Sequence, residues 1–280
     1  MAATYTPIRY PGGKTKLYPE IKAIIESNGL LGHPYVELFA GGAGLAIKLL
    51  LRGDVSSIVI NDYDRAVYCM WNAIVNHGEE LCEFIDSAVL DIKTWKKMRG
   101  MYRDHNGIND LELGKAAFYL NRTNVSGILS GGVIGGLEQT GNYKMDVRFN
   151  RETLKKKIAS IAAIRDDIEV TSLDAEEFID NRMGDPELFA YLDPPYVQKG
   201  PGLYRSSFDE GKHRSLAKKV GNAKSKWVVT YDSDKLIDDI YGDYERSDFE
   251  IGYTANVKTV GKEKIILGPG LVWPEELKRC

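Results

Sequence analysis

The sequence predicts an α/β protein built around a buried, largely parallel sheet. Three observations favour this fold class: short apolar runs that end in an acid, amphipathic segments between them, and glycine-containing turns where they meet. The apolar runs end in Asp62, Asp174 and Asp193. Continuous apolar runs of this length are typical of strands covered on both faces. Ligands of open α/β sheets bind beyond the carboxyl ends of the strands, which is where these carboxylates are expected.

The composition indicates an ordinary globular protein of one or two domains. The chain has 280 residues, of which 43% are hydrophobic and 28% charged, and its net charge is −3. Since the overall field is not basic, any binding of nucleic acid must depend on a local positive patch. The three cysteines lack a C-x-x-C spacing and the four histidines are dispersed, which predicts reduced thiols and no metal site. No apolar run reaches the length of a membrane span, so a cytoplasmic protein without a membrane partner is expected.

The first motif, residues 9–16, contains a Pro-Gly-Gly turn and precedes an amphipathic helix predicted over residues 17–26. Its Gly-Lys-Thr triplet invites a comparison with nucleotide-binding P-loops. Such a loop needs a glycine where Ile8 stands and a strand before it, so the sequence argues against ATP binding here. The simpler interpretation is a turn at the start of a helix, with Lys14 exposed.

The second motif, residues 35–51, combines a short strand, a glycine turn and an apolar helix. Glycine allows close approach of a ligand, and the start of the helix offers free N–H groups. The dinucleotide fingerprint G-x-G-x-x-G fails at Ile47, which argues against NAD and leaves other nucleoside-containing ligands. Asp62 follows Gly44 by 18 residues, from 44 to 62, close to the spacing at which a carboxylate binds ribose. Alone it is explained equally well as a helix N-cap, but the glycine turn favours the ribose role.

A long, mostly helical region with polar loops lies between the second and third predicted strands. Residues 65–110 are predicted to be helical, with most of their aromatic side chains in the core: Tyr68, Trp71, Phe84, Trp95 and Tyr102. Residues 118–127 and 131–144 then combine glycines with Asn, Gln, Arg, Ser and Lys, which suit base edges and phosphates. A run of lysines and arginines between 148 and 165 also suits phosphates. The alternatives are a flexible surface loop and a solvated helix face.

The stretch Asp193-Pro194-Pro195-Tyr196 is the predicted centre of the chemistry. The prolines cannot continue a hydrogen-bonded ladder, so the strand must end at Asp193. Their carbonyls still accept hydrogen bonds, which leaves a rigid, acceptor-rich edge beside an aromatic ring. Such an edge suits a planar group that carries an NH2, such as the edge of adenine or cytosine. The alternative is a strand-ending turn in which Tyr196 caps the core.

The C-terminal third continues the α/β pattern, without internal repeats or low-complexity segments. Helices are predicted over residues 175–181, 212–220 and 234–241, and strands over residues 227–231, 247–254 and 263–267. The last two strands are expected to pair and close the sheet. A loop containing glycine and serine is predicted over residues 199–208.

Three motifs in this order resemble Dam-like DNA adenine-N6 methyltransferases of the D12 class, alpha group. Residues 9–14 resemble their N-terminal motif, residues 35–42 their S-adenosylmethionine loop, and residues 193–196 their catalytic motif. Residues 119–123, between the second and third motifs, look like their DNA-recognition segment. The resemblance covers nearly the whole chain, and the order of the motifs is more specific than any one of them. The family often has a glycine at the position of Ala43.

The resemblance implies a Rossmann-like S-adenosylmethionine-dependent methyltransferase sheet with an inserted, mostly helical target-recognition domain. The catalytic domain would comprise residues 1–64 and 165–280, and the DNA-binding domain residues 65–164. The implied catalytic residues are Asp193, Pro194, Pro195 and Tyr196. The implied methyl-donor contacts are Tyr10, Lys14, Glu37, Phe39, Ala40, Gly41, Gly42, Asp62, Tyr63, Asp174 and Asp193. Together with the polar loops, the resemblance predicts DNA contacts at Asn121, Arg122, Thr123, Asn124, Ser126, Gln139, Lys144, Arg148 and Lys155.

The implied reaction is site-specific methylation of adenine N6 in double-stranded DNA. The target base must leave the stack to reach the methyl donor, S-adenosylmethionine. Asp193 and the Pro194 carbonyl would then accept the two N6 hydrogens, and Tyr196 would stack on the ring. Two other classes remain open: an amino-methyltransferase for RNA or protein glutamine, and a catalytically silent DNA-binding regulator. Double-stranded DNA is the expected partner, and a cognate restriction endonuclease is a candidate second one.

Overall fold

The computed structural model describes residues 5–197, 208–253 and 259–277, which form a seven-stranded sheet with helices on both faces. The strands are β1 Tyr35–Glu37, β2 Ile58–Asn61, β3 Ile168–Thr171, β4 Phe189–Leu192, β5 Lys226–Asp232, β6 Arg246–Tyr253 and β7 Thr259–Leu267. The described helices are α1 Tyr18–Ser27, α2 Gly44–Arg52, α3 Arg65–Asn76, α4 Gly78–Ser87, α5 Ile92–Arg103, α6 Asp110–Thr123, α7 Arg151–Ala162, α8 Ala175–Arg182, α9 Glu210–Gly221 and α10 Lys235–Ile240. Apart from Phe208, the predicted loop at residues 199–208 lies outside the described residues.

The strand order is β3-β2-β1-β4-β5-β7-β6. Strands β1 to β5 pair in parallel, whereas β7 is antiparallel to both β5 and β6. The predicted α/β class and the closing strand pair are therefore confirmed. Because β2 and β4 flank β1 on opposite sides, the connections leave the sheet in opposite directions there, and a crevice opens at the carboxyl ends of β1 and β4.

Alternate residues of the central strands face two separate cores. Tyr35 and Phe189 pack with α1, α2 and the helices α3 to α7, while Val36 and Ala190 pack with α8, α9 and α10. The period of two places neighbouring side chains on opposite faces of the sheet. Since both faces are covered, these strands read as unbroken apolar runs, which is why the sequence predicts them well.

Helices α3 to α7 lie between β2 and β3 along the chain and form the predicted helical insertion. Trp71, Trp95 and Tyr102 are buried in it, as predicted. The Trp71 indole donates a hydrogen bond to the Gly41 carbonyl at 2.8 Å, which connects the insertion to the glycine turn. One hydrophobic core extends from the sheet into these helices. Their function as a separate recognition domain remains a prediction.

Most described helices begin at a side chain that accepts a backbone N–H bond. These N-caps are Asp64, Asp91, Asn109, Asn150, Asp174, Asp209 and Asp234. Each such cap stabilises a helix by roughly 1 kcal/mol, which explains why the predicted helix starts agree closely with the structure. In the described parts of the chain, none of the helices is long and apolar enough to cross a membrane.

Candidate active site

One cavity of about 770 Å³ opens at the carboxyl ends of β1, β2 and β4. Small-molecule pockets typically enclose about 300–1,000 Å³, so a nucleoside-containing ligand fits this volume. Four parts of the chain line it: the N-terminal segment, the glycine turn after β1, the strand ends and the insertion. The predicted methyl-donor contacts that line it are Tyr10, Lys14, Glu37, Phe39, Ala40, Gly41, Gly42, Asp62 and Asp193.

Two further predicted donor contacts, Tyr63 and Asp174, lie outside the lining of this cavity. Asp174 caps α8 by accepting a hydrogen bond from the Glu176 N–H at 2.9 Å. Tyr63 is 64% exposed. The structure therefore places neither side chain on the lining of the cavity, and Asp174 caps α8; donor contacts at these two residues remain predictions.

The glycine turn is shaped by contact with the N-terminal segment. Gly41 has a φ of +46°, and a Cβ there would lie 2.6 Å from the Tyr10 ring. At Gly42 a Cβ would approach the Tyr10 side chain to 2.8 Å. Ala43 has a φ of +39°, a left-handed conformation that costs an L-residue roughly 1–2 kcal/mol. The glycines thus make room for Tyr10, so a ligand would meet the backbone and this ring together.

Glu37 ends β1 as a buried carboxyl group on the cavity lining. Its Oε1 accepts hydrogen bonds from the Ala46 N–H at 2.8 Å and from the Tyr35 hydroxyl at 3.3 Å. Burial raises the pKa of Glu37 to about 8, although these two bonds oppose the shift. Glu37 therefore connects β1 to the first turn of α2, and its charge changes near neutral pH.

Asp62 holds the glycine turn against the end of β2. Its Oδ2 accepts a hydrogen bond from the Gly41 N–H at 2.9 Å, and its Oδ1 accepts one from the Asp64 N–H at 3.0 Å. Burial raises the pKa of Asp62 to about 7, against the lowering effect of these bonds. The alternative role as helix N-cap belongs to Asp64, which caps α3.

Both carboxylate oxygens of Asp193, the residue after β4, have hydrogen-bonding partners. The Thr230 hydroxyl donates to Oδ1 at 2.9 Å, and the Lys14 Nζ lies 2.9 Å from Oδ2. The Tyr191 and Thr230 hydroxyl oxygens are 2.8 Å apart and extend the network into the core. Because both oxygens are held, the orientation of the carboxylate is set by the protein.

Lys14 is buried, in contrast to the exposed lysine of a simple helix-start turn. Its Nζ donates hydrogen bonds to the Tyr196 hydroxyl at 2.7 Å and to the Gly12 carbonyl at 3.2 Å, besides the ion pair with Asp193. A buried ammonium needs such partners because leaving it unpaired is costly. Lys14 therefore joins the N-terminal motif to the Asp-Pro-Pro-Tyr edge, in which Pro195 lines the cavity and Tyr196 is partly buried.

Sequence reasoning missed three polar residues near Asp193: Thr230, Asp232 and Glu263. Asp232 ends β5 and accepts a hydrogen bond from the Val197 N–H at 3.2 Å. Glu263 lies opposite Asp232 in the antiparallel pairing of β5 with β7 and is 1% exposed. An apolar run ending in an acid was an available signal for Asp232. Glu263 carries no such signal, because its position depends on which strand β7 pairs with.

Asn121, Thr123 and Asn124, which were predicted to contact DNA, have their side chains inside the protein. All three are fully buried where the insertion meets the N-terminal segment. Asn121 accepts a hydrogen bond from the Arg9 N–H at 2.9 Å and donates to the carbonyls of Arg9 and Gly127 at 2.6 and 3.0 Å. Thr123 and Asn124 likewise bond to groups within the insertion. These polar groups satisfy buried backbone and side-chain partners, so a structural role accounts for them, and a contact with DNA stays a prediction.

The other predicted DNA contacts divide into two groups. Those that line the cavity are Arg122, Ser126 and Arg148, and those that do not are Gln139, Lys144 and Lys155. Gln139 and Lys144 are connected within the loop, because the Lys144 Nζ donates a hydrogen bond to the Gln139 carbonyl. Lys155 forms ion pairs with Asp86 at 2.8 Å and Glu152 at 3.2 Å, which already balance its charge.

Four cations converge on the part of the cavity between the N-terminal segment and the insertion. We call them the cationic wall: Arg9, Arg122, Arg148 and Lys157. Burial, followed by the charges of Arg9 and Arg148, lowers the pKa of Arg122 to about 9. Burial and the charge of Arg122 also lower the pKa of Lys157. The mutual repulsion of these groups makes the wall a favourable place for an anion.

Comparison with known proteins identifies the family. The sequence pattern of the D12 class N6 adenine-specific DNA methyltransferase family matches residues 10–256. A solved structure described as "Putative methyltransferase yhhF from Escherichia coli" aligns with a TM-score of 0.37 and 10% sequence identity, over 93% of this chain and 91% of that chain. A search of curated proteins gave no match. Since the family pattern spans most of the sequence, the chain belongs to the D12 class N6 adenine-specific DNA methyltransferase family.

Proposed function

We propose that this methyltransferase transfers a methyl group from S-adenosylmethionine to N6 of an adenine flipped out of double-stranded DNA, as a Dam-like member of its family. The observation that carries the proposal is that the acceptor edge at Asp193 and the cationic wall line one cavity. A planar amino group and a phosphate backbone would be recognised side by side. A base stacked in a duplex cannot enter such a cavity, so the target must leave the stack.

The residues beside the glycine turn fit S-adenosylmethionine. This cofactor supplies an electrophilic methyl group on a positively charged sulfonium. The Asp193 carboxylate suits a positive charge, the Glu37 carboxyl group offers a hydrogen-bonding group, and the Asp62 carboxylate suits the ribose hydroxyls. Tyr10 and Phe39 add aromatic surface to the same lining. The chain thus provides acceptors for the polar parts of the donor and rings for its apolar parts.

Donor binding is expected to weaken below pH 7 through Asp62. The pKa of Asp62 is raised to about 7 by burial, and only its carboxylate form offers acceptors at both oxygens. As the pH falls through that pKa, the calorimetric Kd for S-adenosylmethionine should rise by up to about tenfold per pH unit. Asp62→Asn should bind the donor weakly and should lose the part of the pH dependence that is centred near pH 7.

The control for this prediction is Asp104→Asn, which changes an exposed acid outside the cavity and should keep the wild-type profile. The melting temperature of Asp62→Asn is measured as well, because this side chain also holds the Gly41 N–H. Equal affinity of wild type and Asp62→Asn for S-adenosylmethionine at pH 8 would contradict a contact between Asp62 and the methyl donor.

Asp193 supplies the main chemical contribution of the protein. The amino nitrogen of adenine is a poor nucleophile because its lone pair is delocalised into the ring. By accepting N6 hydrogens, the Asp193 carboxylate and the Pro194 carbonyl would draw the nitrogen toward tetrahedral geometry and stabilise its developing positive charge. As N6 bonds to the methyl carbon, the bond from that carbon to the donor sulfur would break with its electron pair left on sulfur, and the Asp193 carboxylate would accept the proton that N6 then releases. Thr230 orients that carboxylate through its 2.9 Å hydrogen bond.

The cationic wall favours a nucleic acid over a protein glutamine as substrate. A glutamine amide suits the Asp193 edge, but its side chain brings no negative charge to match Arg122 and its neighbours. RNA carries the same phosphates as DNA, so the cationic wall does not distinguish the two substrates, and the transfer experiment must do so. A catalytically silent regulator is disfavoured because the Thr230–Asp193–Lys14 network orients an acceptor that DNA binding alone does not require.

The test of the proposed function is transfer of labelled methyl from S-adenosylmethionine to three substrates. Duplex DNA, single-stranded RNA and glutamine-containing peptides are offered at equal concentration, and the DNA is digested and analysed for N6-methyladenine. Label in duplex adenine supports the proposal. Label confined to RNA or peptide would replace it, and duplex binding without any transfer would support the silent regulator.

Arg148→Gln is expected to weaken duplex binding for all sequences and to reduce its salt dependence. Each lost phosphate contact lowers the slope of log K against log salt by about 1. The Arg148 carbonyl, which accepts hydrogen bonds from Arg122, is unaffected by the change. The matched control is Lys155→Gln, since Lys155 is paired with Asp86 outside the cavity. Fluorescence anisotropy titrations at several salt concentrations measure the slopes, and identical slopes for all three proteins would contradict a phosphate contact at Arg148.

A further inference from the structure

Glu263 is a buried acid close to the reacting edge. It lies on β7, opposite Asp232 of β5, and is 1% exposed. It follows the part of the chain that the family pattern matches, residues 10–256. Its Oε2 lies 3.7 Å from the Lys14 Nζ, which in turn lies 2.9 Å from the Asp193 Oδ2. The Lys14 ammonium therefore lies within 4 Å of two carboxylates.

The position of Lys14 affects how well Asp193 can accept a hydrogen bond. Thr230 donates to Oδ1 of Asp193, and Lys14 is paired with Oδ2. An N6 hydrogen that approaches Oδ2 competes with this ammonium for the same negative charge. The more tightly Lys14 is held by Oδ2, the weaker that oxygen becomes as an acceptor for a second donor.

Glu263 attracts Lys14 away from Asp193 with a negative charge, in contrast to two other groups that contact Lys14. The Tyr196 hydroxyl at 2.7 Å and the Gly12 carbonyl at 3.2 Å are neutral acceptors. After burial, the charges of Asp193 and Glu263 are the next largest causes that raise the pKa of Tyr196 well above its usual value, so this phenol stays neutral. In a buried environment a full charge outweighs a neutral dipole at similar distance.

We propose that Glu263 is a positioning residue that acts through Lys14. Its carboxylate draws the Lys14 ammonium toward β7, so that Oδ2 of Asp193 is available to accept a hydrogen from the target amino group. This inference rests on the function proposed above, because it assigns Glu263 to the methyl-transfer step. It predicts a larger effect on the rate of methyl transfer than on donor affinity.

The first test uses Glu263→Gln, which keeps the size of the side chain and removes its charge. Single-turnover methyl transfer to duplex DNA should slow about 10- to 100-fold, as expected when a reacting group is misplaced. The calorimetric Kd for S-adenosylmethionine should change much less than this rate. In a Lys14→Met background, Glu263→Gln should add little further loss, because coupled residues show non-additive effects.

Two variants separate charge from structure. Glu263→Asp keeps the charge and should recover part of the rate. Asp248→Asn neutralises an acid on β6, the neighbouring strand of the same hairpin, and should react like wild type; Asp248 is 58% exposed and pairs with Lys264 at 2.9 Å. Equal losses from Glu263→Gln with and without Lys14 would overturn the proposal. So would equal damage from Glu263→Asp and Glu263→Gln accompanied by equal drops in melting temperature.

The second test does not depend on DNA. The side-chain ¹⁵N resonance of the Lys14 ammonium is recorded in the free protein and assigned by its loss in Lys14→Met. Glu263→Gln should shift this resonance, whereas Asp248→Asn should leave it in place. An unchanged Lys14 resonance in Glu263→Gln would overturn the inference. If wild type failed to methylate duplex DNA, the proposed function would fall, and the resonance would still decide whether Glu263 positions Lys14.

Discussion

Asp193→Asn is expected to slow single-turnover methyl transfer about 10²–10³-fold in a protein that remains folded. The substitution keeps the size of the side chain but replaces one acceptor oxygen with an NH2 donor. Thr230 can still donate to the remaining oxygen, as it does to Oδ1 at 2.9 Å in the wild type. The new NH2 group would then occupy the Oδ2 position and face the amino group of the target base. Since both groups donate hydrogen bonds, neither can accept from the other. The positive charge that develops at N6 also loses its counter-charge.

The rate must be measured beside a melting curve, because Lys14 loses its 2.9 Å partner in this variant. Glu263, 3.7 Å from the same ammonium, remains as a counter-ion. The loss of stability should therefore stay below the roughly 3–5 kcal/mol typical of a buried charge left alone. Wild-type turnover in a well-folded Asp193→Asn protein would contradict the mechanism.

Tyr196 provides the comparison for the same experiment. Tyr196→Phe keeps the ring and loses only the 2.7 Å hydrogen bond from Lys14, so a mild loss is expected. Tyr196→Ala also loses base stacking, worth on the order of 1–3 kcal/mol, and should lose more activity. If the whole motif were structural, activity would fall only as far as thermal stability in every variant.

Asn121→Ala is expected to lower the free energy of unfolding by about 3 kcal/mol or more. The change removes a buried amide whose three hydrogen bonds hold Arg9 and Gly127, and each buried group left unpaired costs roughly 1–3 kcal/mol. For a chain of this size each kcal/mol lowers the melting temperature by about 2–4 °C. Thermal unfolding followed by circular dichroism measures the effect.

The matched control for this prediction is Asn142→Ala, which truncates an exposed amide in the polar loop of the same insertion and should leave the melting temperature unchanged. A base-reading role for Asn121 predicts the opposite result. Stability would then be retained, and discrimination between DNA sequences would be lost at one position by about 1–3 kcal/mol. A stable Asn121→Ala protein with relaxed sequence preference would support the predicted DNA contact and contradict the structural role.

The architecture of the sheet could be predicted because its physics is local. Strands β1, β2, β4 and β5 are covered on both faces, so each is rich in apolar residues, and β4 is a continuous apolar run. The end of β4 was predictable from Pro194 and Pro195, which lack the N–H group that a ladder requires. The sequence offered the role of helix N-cap for Asp62, whereas in the structure Asp64 caps α3.

By itself, the sequence determined the α/β class, the strand ends and the set of acidic and glycine residues at one edge of the sheet. Only the tertiary structure decided which partners the polar side chains have. Asn121 carries the same amide whether it pairs with a base or with the backbone of Arg9, 112 residues away in the sequence. Lys14 becomes buried because folding brings it to Asp193, and Glu263 joins them only because β7 pairs antiparallel with β5. A side chain's chemistry defines the bonds it can form, whereas long-range packing determines which bonds are formed.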